Sequence, residues 1–489
     1  MTHHLKRFPI IPLVVALAFS LHAQTPRPHP EAPLPEGVEG QAGLRFVDIN
    51  GDGHEDIVFS NSEHYGVYLF NDVERKGLGW TIGWPHLIRE GKAGDANALP
   101  LTTGDDVVFK DGAMWVKGVK AMTFAELCRP PAPPARTPEE SLKALHVKHG
   151  FKAELVAREP LVQDPIFVDW DARGRMWVVE MGDYPFHDHN GETHRGRVKV
   201  LEDTDGDGIY DKATIFLDDL TYPTGLACWK NGVIVASVPE VFFAEDTDGD
   251  GRADKRTPIL QGFTKGNPQH LVNGFAWGLD GWLYGGNGDS GGKITEVKGG
   301  AQHDLSGRDF RFNPATGEFQ LQPGKAQYGR WRDDFGNWFA NNNSNLGWHY
   351  FLEDRYLARN PKLAVPTMKH DLNRAGNRMY PVSAPMRRFN QPDTVNMLTS
   401  GCSLIPYRDT LFGDAFAGSV FICEPANNLV HREVLEPDGL SFTSHRAADE
   451  KESEFLASED NWSRFTQART GPCWSTRGGA GQEDVRRSR

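Results

Sequence analysis

The segment NGFAWGLDGWLYGGNGD, residues 273–289, consists of an apolar strand, a tight L-D-G turn and an aromatic strand that ends in a glycine-rich turn. The unit recurs along the chain as PIFVDWDARGRMWVVEM (165–181), PTGLACWKNGVIVASVP (223–239), GNWFANNNSNLGWHYFL (336–352) and GCSLIPYRDTLFGDAFAGSVFICEP (401–425). Repeated hairpins of this kind are typical of small sheets arranged radially, which leaves few long exposed strand edges. We therefore predict an all-β protein whose main body is a β-propeller. A β-sandwich is the alternative, but it lacks this recurring unit.

The size and charge of the chain restrict its organisation and partners. With 489 residues it exceeds what one hydrophobic core organises, so two or more domains or a large repeat architecture are expected. The formal net charge is −13, whereas nucleic-acid binding requires a basic surface that displaces counterions. Nucleic acid is therefore not an expected partner.

The first residues have the layout of a secretory signal peptide. Lys6 and Arg7 precede an apolar stretch that ends near Leu21, and the small residue Ala23 follows. A membrane anchor is the alternative, but the apolar stretch of about 14 residues falls short of the roughly 20 that span a bilayer. The sequence predicts cleavage after residues 1–23, export to the periplasm or the extracellular space, and no membrane span in the mature chain.

Proline-rich stretches divide the rest of the chain. Residues 24–40 and 127–141 are predicted linkers, and the short alternating runs between them predict a small β unit over 41–126. The propeller is predicted over 142–472, with one short helix in SLKALHVKHGF at its start. Residues 473–489 show no strand periodicity, so a disordered tail and an incomplete, less stable last blade are expected.

Five cysteines occur without CxxC or CxxCH spacing, which argues against structural zinc and attached haem. Cys402 and Cys423 lie in two predicted strands joined by a turn-rich segment, and they are the best candidates for a disulfide. Buried free thiols are the alternative, with equal weight.

Three nine-residue segments, DINGDGHED, DTDGDGIYD and DTDGDGRAD, are nearly identical in design. Each has oxygen side chains at positions 1, 3, 5 and 9 and glycine at positions 4 and 6, where a sharp turn is needed. Carboxylates crowded in this way repel unless a cation is present, and hard oxygen ligands select calcium. The predicted calcium ligands are Asp48, Asn50, Asp52, Asp56; Asp203, Asp205, Asp207, Asp211; and Asp246, Asp248, Asp250, Asp254.

Position 12 of these loops is Phe59, Thr214 or Thr257, so none has the bidentate glutamate of an EF-hand. The flanking residues resemble strands, and the metal is expected to hold a β-hairpin together. Acidic surface turns without metal are the alternative.

His270 and Asp289 flank the opening hairpin and form a candidate catalytic pair. A propeller brings strand ends together on one face, so the two side chains can meet although 19 residues separate them. Histidine can take a proton near neutral pH, and a carboxylate fixes its tautomer and raises its basicity. The alternative is a structural, hydrogen-bonded histidine.

This segment resembles the soluble quinoprotein glucose dehydrogenases and sorbosone dehydrogenases, in which a histidine, G-x-D-G-x-L-Y and a G-D turn have similar spacing. The resemblance implies a six-bladed propeller that binds pyrroloquinoline quinone, with His270 as the base and Asp289 as its partner. Asn341, Asn342 and Asn343 stand where those proteins have an arginine that contacts the quinone. Together with Asp183 and Tyr184, which follow a predicted strand at the channel mouth, they are candidate pocket residues.

A longer resemblance covers residues 142 to about 472. The motifs WVVEMGDYP, FFAEDTDGDG, CEPANNLVHR and FLASEDNW are similar to those of the membrane-bound dehydrogenases abundant in planctomycetes and verrucomicrobia, and residues 41–126 resemble FG-GAP or VCBS repeats. The resemblance implies an exported dehydrogenase that oxidises a sugar or other polyol and passes electrons to a separate acceptor such as a cytochrome c. The alternatives are a non-catalytic calcium-stapled propeller that binds carbohydrate or a surface partner, and a propeller lactonase or other hydrolase.

Overall fold

The computed structural model describes residues 28–72, 81–95, 98–128, 135–182, 184, 195–360, 362–373, 376–383 and 396–471. The predicted signal peptide, the predicted tail 473–489 and Asp183 lie outside the described residues. The chain divides into two compact units, Met1–Ala132 (unit 1) and Pro133–Arg489 (unit 2). No helix of the described part is long and apolar enough to cross a membrane.

The described part of unit 1 is a small β structure with one short helix. Its elements are β1 (Arg45–Val47), β2 (Asp56–Ser60), β3 (His64–Asn71), β4 (Gly83–Lys92), β5 (Val107–Lys110), β6 (Ala113–Val116), β7 (Val119–Thr123) and α1 (Phe124–Leu127). Strands β1 to β4 form one antiparallel sheet in chain order, and β5 to β7 form a second. Val58, Val67, Leu69, Met114 and Leu127 are buried in its core.

Unit 2 begins with α2 (Pro138–Lys143) and β8 (Leu145–Val147). The first sheet contains β9 (Pro165–Trp170), β10 (Met176–Glu180), β11 (Gly196–Glu202) and β12 (Lys212–Leu220). The second sheet begins with β13 (Pro223–Trp229), β14 (Gly232–Ser237), β15 (Glu240–Glu245) and β16 (Lys255–Phe263).

The next elements in chain order are β17 (Asn273–Trp277), β18 (Leu283–Gly286), β19 (Gly292–Glu296), β20 (Gln302–Asp304), β21 (Asp309–Phe312) and β22 (Phe319–Gln322). Strands β17, β18, β21 and β22 form the third sheet, whereas β19 and β20 extend the second. The fourth sheet contains β23 (Arg330–Arg332), β24 (Trp338–Asn342), β25 (Asn345–Tyr350) and β26 (Lys369–Asp371), with α3 (Asp354–Leu357) between the last two.

The fifth sheet combines both ends of the described part of unit 2. Its strands from the last part of the chain are β27 (Cys402–Pro406), β28 (Ser419–Glu424), β29 (Leu429–Asp438), β30 (Ser441–Arg446) and β31 (Leu456–Ser458). Strand β8 pairs with β31, so the start of unit 2 completes the sheet.

The five sheets contact one another in chain order through their first strands: β9 with β13, β13 with β17, β17 with β23, and β23 with β27. The core lies between successive sheets, and Phe167, Trp177, Phe242, Trp331 and Trp348 belong to one continuous buried cluster. The prediction of an all-β propeller is confirmed. All five hairpins noted in the sequence form, although the fourth is β24–β25, the second and third strands of its sheet.

Of the predicted six blades, the described residues form five sheets, and residues 463–471 continue from the fifth towards the first. The Ala468 N–H donates to Ser403 Oγ of β27 (3.3 Å), and the Val168 N–H of β9 donates to Gln467 Oε1 (2.7 Å). Arg469 donates to the Val168 carbonyl oxygen (3.0 Å). This segment therefore connects the inner strands of the last and first sheets.

Two local predictions differ from the structure. The helix predicted in SLKALHVKHGF ends at Lys143 and gives way to β8. It begins at Pro138, inside the predicted linker, because Thr137 and Glu140 form a capping box and proline is favoured in the first helical turn.

Of the two alternatives for Cys402 and Cys423, a disulfide or buried free thiols, the structure has the free thiols. Cys402 and Cys423 are partners in the β27–β28 register, but both thiols are free. The Cys402 thiol instead lies 3.5 Å from the carbonyl oxygen of Thr466. Burial raises the pKa of both thiols, which keeps them protonated.

Candidate functional site

The topology brings four polar residues of the third and fourth sheets to one edge. In an antiparallel sheet the chain enters the first strand and leaves the second at the same edge. His270 precedes β17 and Asp289 follows β18, while Gln327 precedes β23 and Asn343 follows β24. Because β17 contacts β23, these residues of neighbouring sheets lie close together.

His270 and Asp289 form the predicted pair. His270 Nδ1 lies 3.4 Å from Asp289 Oδ2, and the two side chains are 26% and 27% exposed. Both groups are therefore held by the protein yet open to a ligand. In this arrangement the carboxylate of Asp289 faces Nδ1, and the other ring nitrogen of His270, Nε2, can exchange a proton.

Gly288 makes this contact possible. Its φ is +70°, and a Cβ atom there would lie 1.8 Å from the carbonyl oxygen of Leu271. Only glycine allows the turn to approach the start of β17 this closely. The Ser290 N–H then donates to the His270 carbonyl oxygen (3.1 Å), which holds Asp289 beside the imidazole.

Two residues that the sequence did not single out complete the cluster. Lys325 Nζ lies 2.7 Å from Asp289 Oδ1. Gln327 Nε2 lies 3.0 Å from His270 Nε2, and its Oε1 accepts from the Asn343 N–H (2.9 Å). The imidazole is thus held on both sides, by a carboxylate at Nδ1 and by an amide at Nε2.

Asn273 fixes the strands beneath this cluster. Its side chain, 2% exposed, donates to the carbonyl oxygens of Leu271 (2.8 Å) and Gln327 (2.7 Å) and accepts from the Gly329 N–H (2.8 Å). The inner strands β17 and β23 are therefore joined directly below His270 and Gln327.

Tyr184 also reaches the site, whereas its neighbour Asp183 lies outside the described residues. The Gln269 side-chain amide donates to Tyr184 Oη (2.5 Å), and Gln269 directly precedes His270. Tyr184 is 42% exposed. This contact puts the Tyr184 hydroxyl beside the turn that contains His270, and its role as a pocket residue stays a prediction.

The three predicted asparagines have different surroundings. Asn343 contacts the cluster through its backbone, while the Asn342 side-chain oxygen accepts from the N–H groups of Ser344 and Asn345 and shapes the β24–β25 turn. Asn341 is fully buried, and its side-chain amide has no hydrogen-bond partner among the described residues. Of the three, Asn342 and Asn343 are partly exposed at the edge.

The two acidic loops of unit 2 lie at the opposite edge of their sheets. Residues 203–211 join β11 to β12 and residues 246–254 join β15 to β16, which are connections between third and fourth strands. Such connections lie at the edge opposite the one where first strands begin. These loops are therefore remote from His270 in the topology, as expected for a structural rather than a catalytic metal.

The loop geometry is the same in all three copies. The two glycine N–H groups of each loop donate to both oxygens of its first aspartate, with distances of 2.6–2.9 Å at Asp48, Asp203 and Asp246. Burial disfavours the charged form of Asp246, but the hydrogen bonds that it accepts within the loop together outweigh burial and lower its pKa. The negative charge that a cation would bind is thus maintained.

Carboxylate oxygens converge in both loops of unit 2. Oxygens of Asp203, Asp205 and Asp207 lie within 4.8 Å of one another, as do those of Asp246, Asp248 and Asp254. The remaining predicted ligands have hydrogen bonds of their own. Asp211 accepts from the Thr204 hydroxyl and Asp250 accepts from the Arg252 N–H.

The unit 1 loop differs at its ninth position. Asp56 is fully buried, and its two oxygens accept from the N–H groups of Ile49 (3.0 Å) and Phe70 (2.8 Å). Burial raises the pKa of Asp56 to about 7. Asp56 therefore has a structural role in β2, and the exposed oxygens of this loop come from Asp48, Asn50 and Asp52.

A cavity among the described residues lies elsewhere in unit 2. Its volume is about 500 Å³, and its wall includes Lys148, Arg378, Tyr380, Asp449 and Glu454. None of the residues around His270 lines it. The cavity and the catalytic candidates are thus separate features of the molecule.

The donor set around His270 fits a carboxylated quinone. Such a cofactor presents carboxylate and carbonyl oxygens, which require N–H donors and a cation. Lys325 supplies an ammonium group that is 47% exposed, and Gln269, Asn342 and Asn343 supply side-chain amides at the same edge. These are the residues that would hold the group.

The fold and this edge define an all-β propeller with a histidine–carboxylate pair at the inner-strand ends. The family model described as "Domain of unknown function (DUF7133)" matches residues 137–473, and the chain belongs to this family. No curated protein shows significant similarity to the sequence.

Solved structures with a distantly similar fold include two sugar dehydrogenases. The holo form of the pyranose dehydrogenase PQQ domain from Coprinopsis cinerea is 11% identical, with a TM-score of 0.38 over 68% of this chain and 90% of that chain. A Thermus thermophilus oxidoreductase described as a glucose dehydrogenase is 15% identical, with a TM-score of 0.36 over 67% of this chain and 90% of that chain. Virginiamycin B lyase from Staphylococcus aureus is 11% identical, with a TM-score of 0.30 over 60% of this chain and 72% of that chain.

Proposed function

We propose that this protein is a quinoprotein-type dehydrogenase that oxidises a hydroxyl group of a sugar or other polyol. The observation that carries the proposal is the partly exposed His270, in contact with Asp289 at the edge where the inner strands begin. A base with a fixed carboxylate partner suits removal of a hydroxyl proton.

In the proposed reaction His270 Nε2 takes the substrate hydroxyl proton. Asp289 faces Nδ1 and stabilises the imidazolium that results, and Lys325 keeps Asp289 in place through its other oxygen. A quinone held at this edge would supply the oxidising group that accepts the hydride of the substrate carbon, and a separate acceptor such as a cytochrome c would receive the electrons.

The remaining features have supporting roles in the proposal. Tyr184 and the side-chain amides of Gln269, Asn342 and Asn343 line the site and bind the hydroxyl groups of the substrate or the cofactor. Calcium binds the three acidic loops and stabilises the hairpins that they join. Residues 1–23 direct export, so the reaction takes place in the periplasm or outside the cell.

The proposal is tested by adding pyrroloquinoline quinone and calcium to the purified protein. An absorbance change beyond that caused by calcium alone, together with reduction of a dye in the presence of sugars or alcohols, is the expected result. No spectral change and no dye reduction across the substrate panel would overturn the proposal.

His270→Ala is expected to lower the rate of dye reduction by about 10²- to 10⁴-fold, the usual cost of losing a general base. His303→Ala is a matched control, because His303 is also 26% exposed and lies 2.7 Å from a carboxylate, that of Glu296. Equal rates for wild type and His270→Ala would show that His270 is not the base.

A further inference from the structure

Gln327 contacts the ring nitrogen proposed to receive the substrate proton. It is 5% exposed, its backbone N–H donates to the Asn341 carbonyl oxygen (3.3 Å), and its own carbonyl oxygen accepts from Asn273 (2.7 Å). These contacts fix the backbone at Gln327 and thereby the starting point of its side chain.

The orientation of the Gln327 amide follows from its partners. Its Oε1 accepts from the Asn343 backbone N–H, a group that can only donate. The NH₂ group must then face His270 Nε2, 3.0 Å away. If the amide were flipped, its NH₂ group would face the Asn343 backbone N–H, so that two donors would point at each other. The same contact therefore excludes the flipped orientation.

An NH₂ group only donates, so His270 Nε2 must be the acceptor and carry no proton. In neutral imidazole the proton then resides on Nδ1, which faces Asp289 Oδ2 at 3.4 Å. Lys325 donates to the other oxygen of Asp289, Oδ1. Each contact from Gln327 through His270 and Asp289 to Lys325 thus pairs one donor with one acceptor.

We propose that Gln327 is a positioning residue that holds His270 in the Nδ1–H tautomer, with Nε2 unprotonated and its lone pair accepting from the Gln327 amide. The substrate hydroxyl, which is also a donor, reaches this lone pair by displacing the amide. The catalytic part of this inference rests on the proposed function, whereas the tautomer does not.

The tautomer can be measured by NMR of the full chain labelled with ¹⁵N-histidine, with His270→Ala identifying the His270 signals. Wild-type His270 is expected to have a protonated Nδ1 and a bare Nε2 near pH 8. Gln327→Met removes the donor at Nε2 and should raise the fraction of the Nε2–H tautomer above that of the wild type, while Asp289 continues to favour a proton on Nδ1. In Gln327→Glu the carboxylate accepts from Nε2, which should become protonated.

Gln322→Met is the matched control, because Gln322 is also buried, at 2% exposure, and makes no contact with His270. Its His270 signals should equal those of the wild type. A wild-type Nε2–H tautomer, or unchanged His270 signals in both Gln327 variants, would overturn the inference. If Gln327→Met does not fold, the wild-type tautomer and Gln327→Glu still decide it.

Activity supplies a second readout. Gln327→Met should lower kcat by as much as about 100-fold, since a misplaced catalytic group costs about that factor. Gln327→Glu should move the active pH range upward. Its negative charge adds to that of Asp289 and offsets that of Lys325, which favours protonated His270, so a higher pH is needed to free the base. A wild-type protein with no oxidising activity would contradict the proposed function while the NMR result stood.

Discussion

At the scale of single residues, His431 and His349 are both buried but differ in the charges around them. The His431 ring nitrogens lie 2.7 Å from Glu454 and 2.8 Å from Glu433. Burial alone would lower the pKa of His431, but its hydrogen bonds to these carboxylates outweigh burial and raise it. His349 has only the Ser441 hydroxyl as a polar side-chain contact, and burial lowers its pKa to about 4.

The two shifts predict opposite effects of pH on stability. The raised pKa of His431 means that the folded state holds the proton more strongly, so this stabilisation is full below about pH 6.5 and is lost as pH rises through the folded pKa. The lowered pKa of His349 means that stability is lost as pH falls from about 6.5 to about 4. The contribution of these two histidines to the free energy of unfolding should therefore be greatest near pH 6.5.

His431→Gln should remove the loss of stability on the alkaline side. It should also lower the free energy of unfolding by roughly 3–5 kcal/mol, since buried Glu433 and Glu454 lose the cation between them and Arg446 remains only at Glu454. His349→Gln should instead remove the loss on the acid side. Melting curves at pH 5, 6.5 and 8.5 compare the variants. An unchanged alkaline slope in His431→Gln would contradict the charged state assigned to His431.

At the scale of elements, the acidic loops are predicted to bind calcium and stabilise the hairpins β11–β12 and β15–β16. A ligand at about 100 times its dissociation constant adds roughly 2.7 kcal/mol per site when only the folded state binds it. Melting should therefore occur at a lower temperature in chelator than in calcium. Asp246→Asn should reduce the difference, because Asp246 accepts from both loop glycines and its charge contributes to the site.

Asp304→Asn is the control for this experiment, because Asp304 is also an exposed carboxylate that accepts from a nearby N–H, that of Ser306. It lies outside the acidic loops and should retain the full calcium effect. Identical melting with calcium and with chelator in the wild-type protein would show that the loops are acidic turns without metal.

At the scale of the whole propeller unit, residues 463–471 connect the last sheet to the first. Arg469 donates to the Val168 carbonyl oxygen and lies 3.0 Å from Asp169, and its guanidinium is 5.2 Å from the Trp331 ring centre. Arg469→Ala should lower the free energy of unfolding by roughly 1.5–3 kcal/mol, the range for hydrogen bonds to charged groups. Denaturant unfolding with the exposed Lys451→Ala as control tests this. Equal losses in both variants would contradict the connecting role.

Much of the fold could be predicted from local sequence. The hairpins β9–β10, β13–β14 and β17–β18 follow from apolar strands around turns that contain glycine, which are features within about 15 residues of one another. The pairing of β8 with β31 could not be predicted in this way. It joins residues about 310 positions apart, and a strand of three residues carries no recognisable pattern. The helix expected over β8 shows that short segments follow tertiary pairing rather than propensity.

The sequence by itself determined the recurrent hairpins, the acidic loops and the His270–Asp289 candidate pair, because each depends on residue type and short spacing. Only the tertiary structure decided that Lys325 and Gln327 join this pair, since their segment has no motif and reaches His270 through the contact between β17 and β23. It also decided that Asp56 is buried in β2 and that Cys402 and Cys423 remain free thiols. These outcomes depend on the direction of each side chain in the packed sheets, which spacing along the chain does not specify.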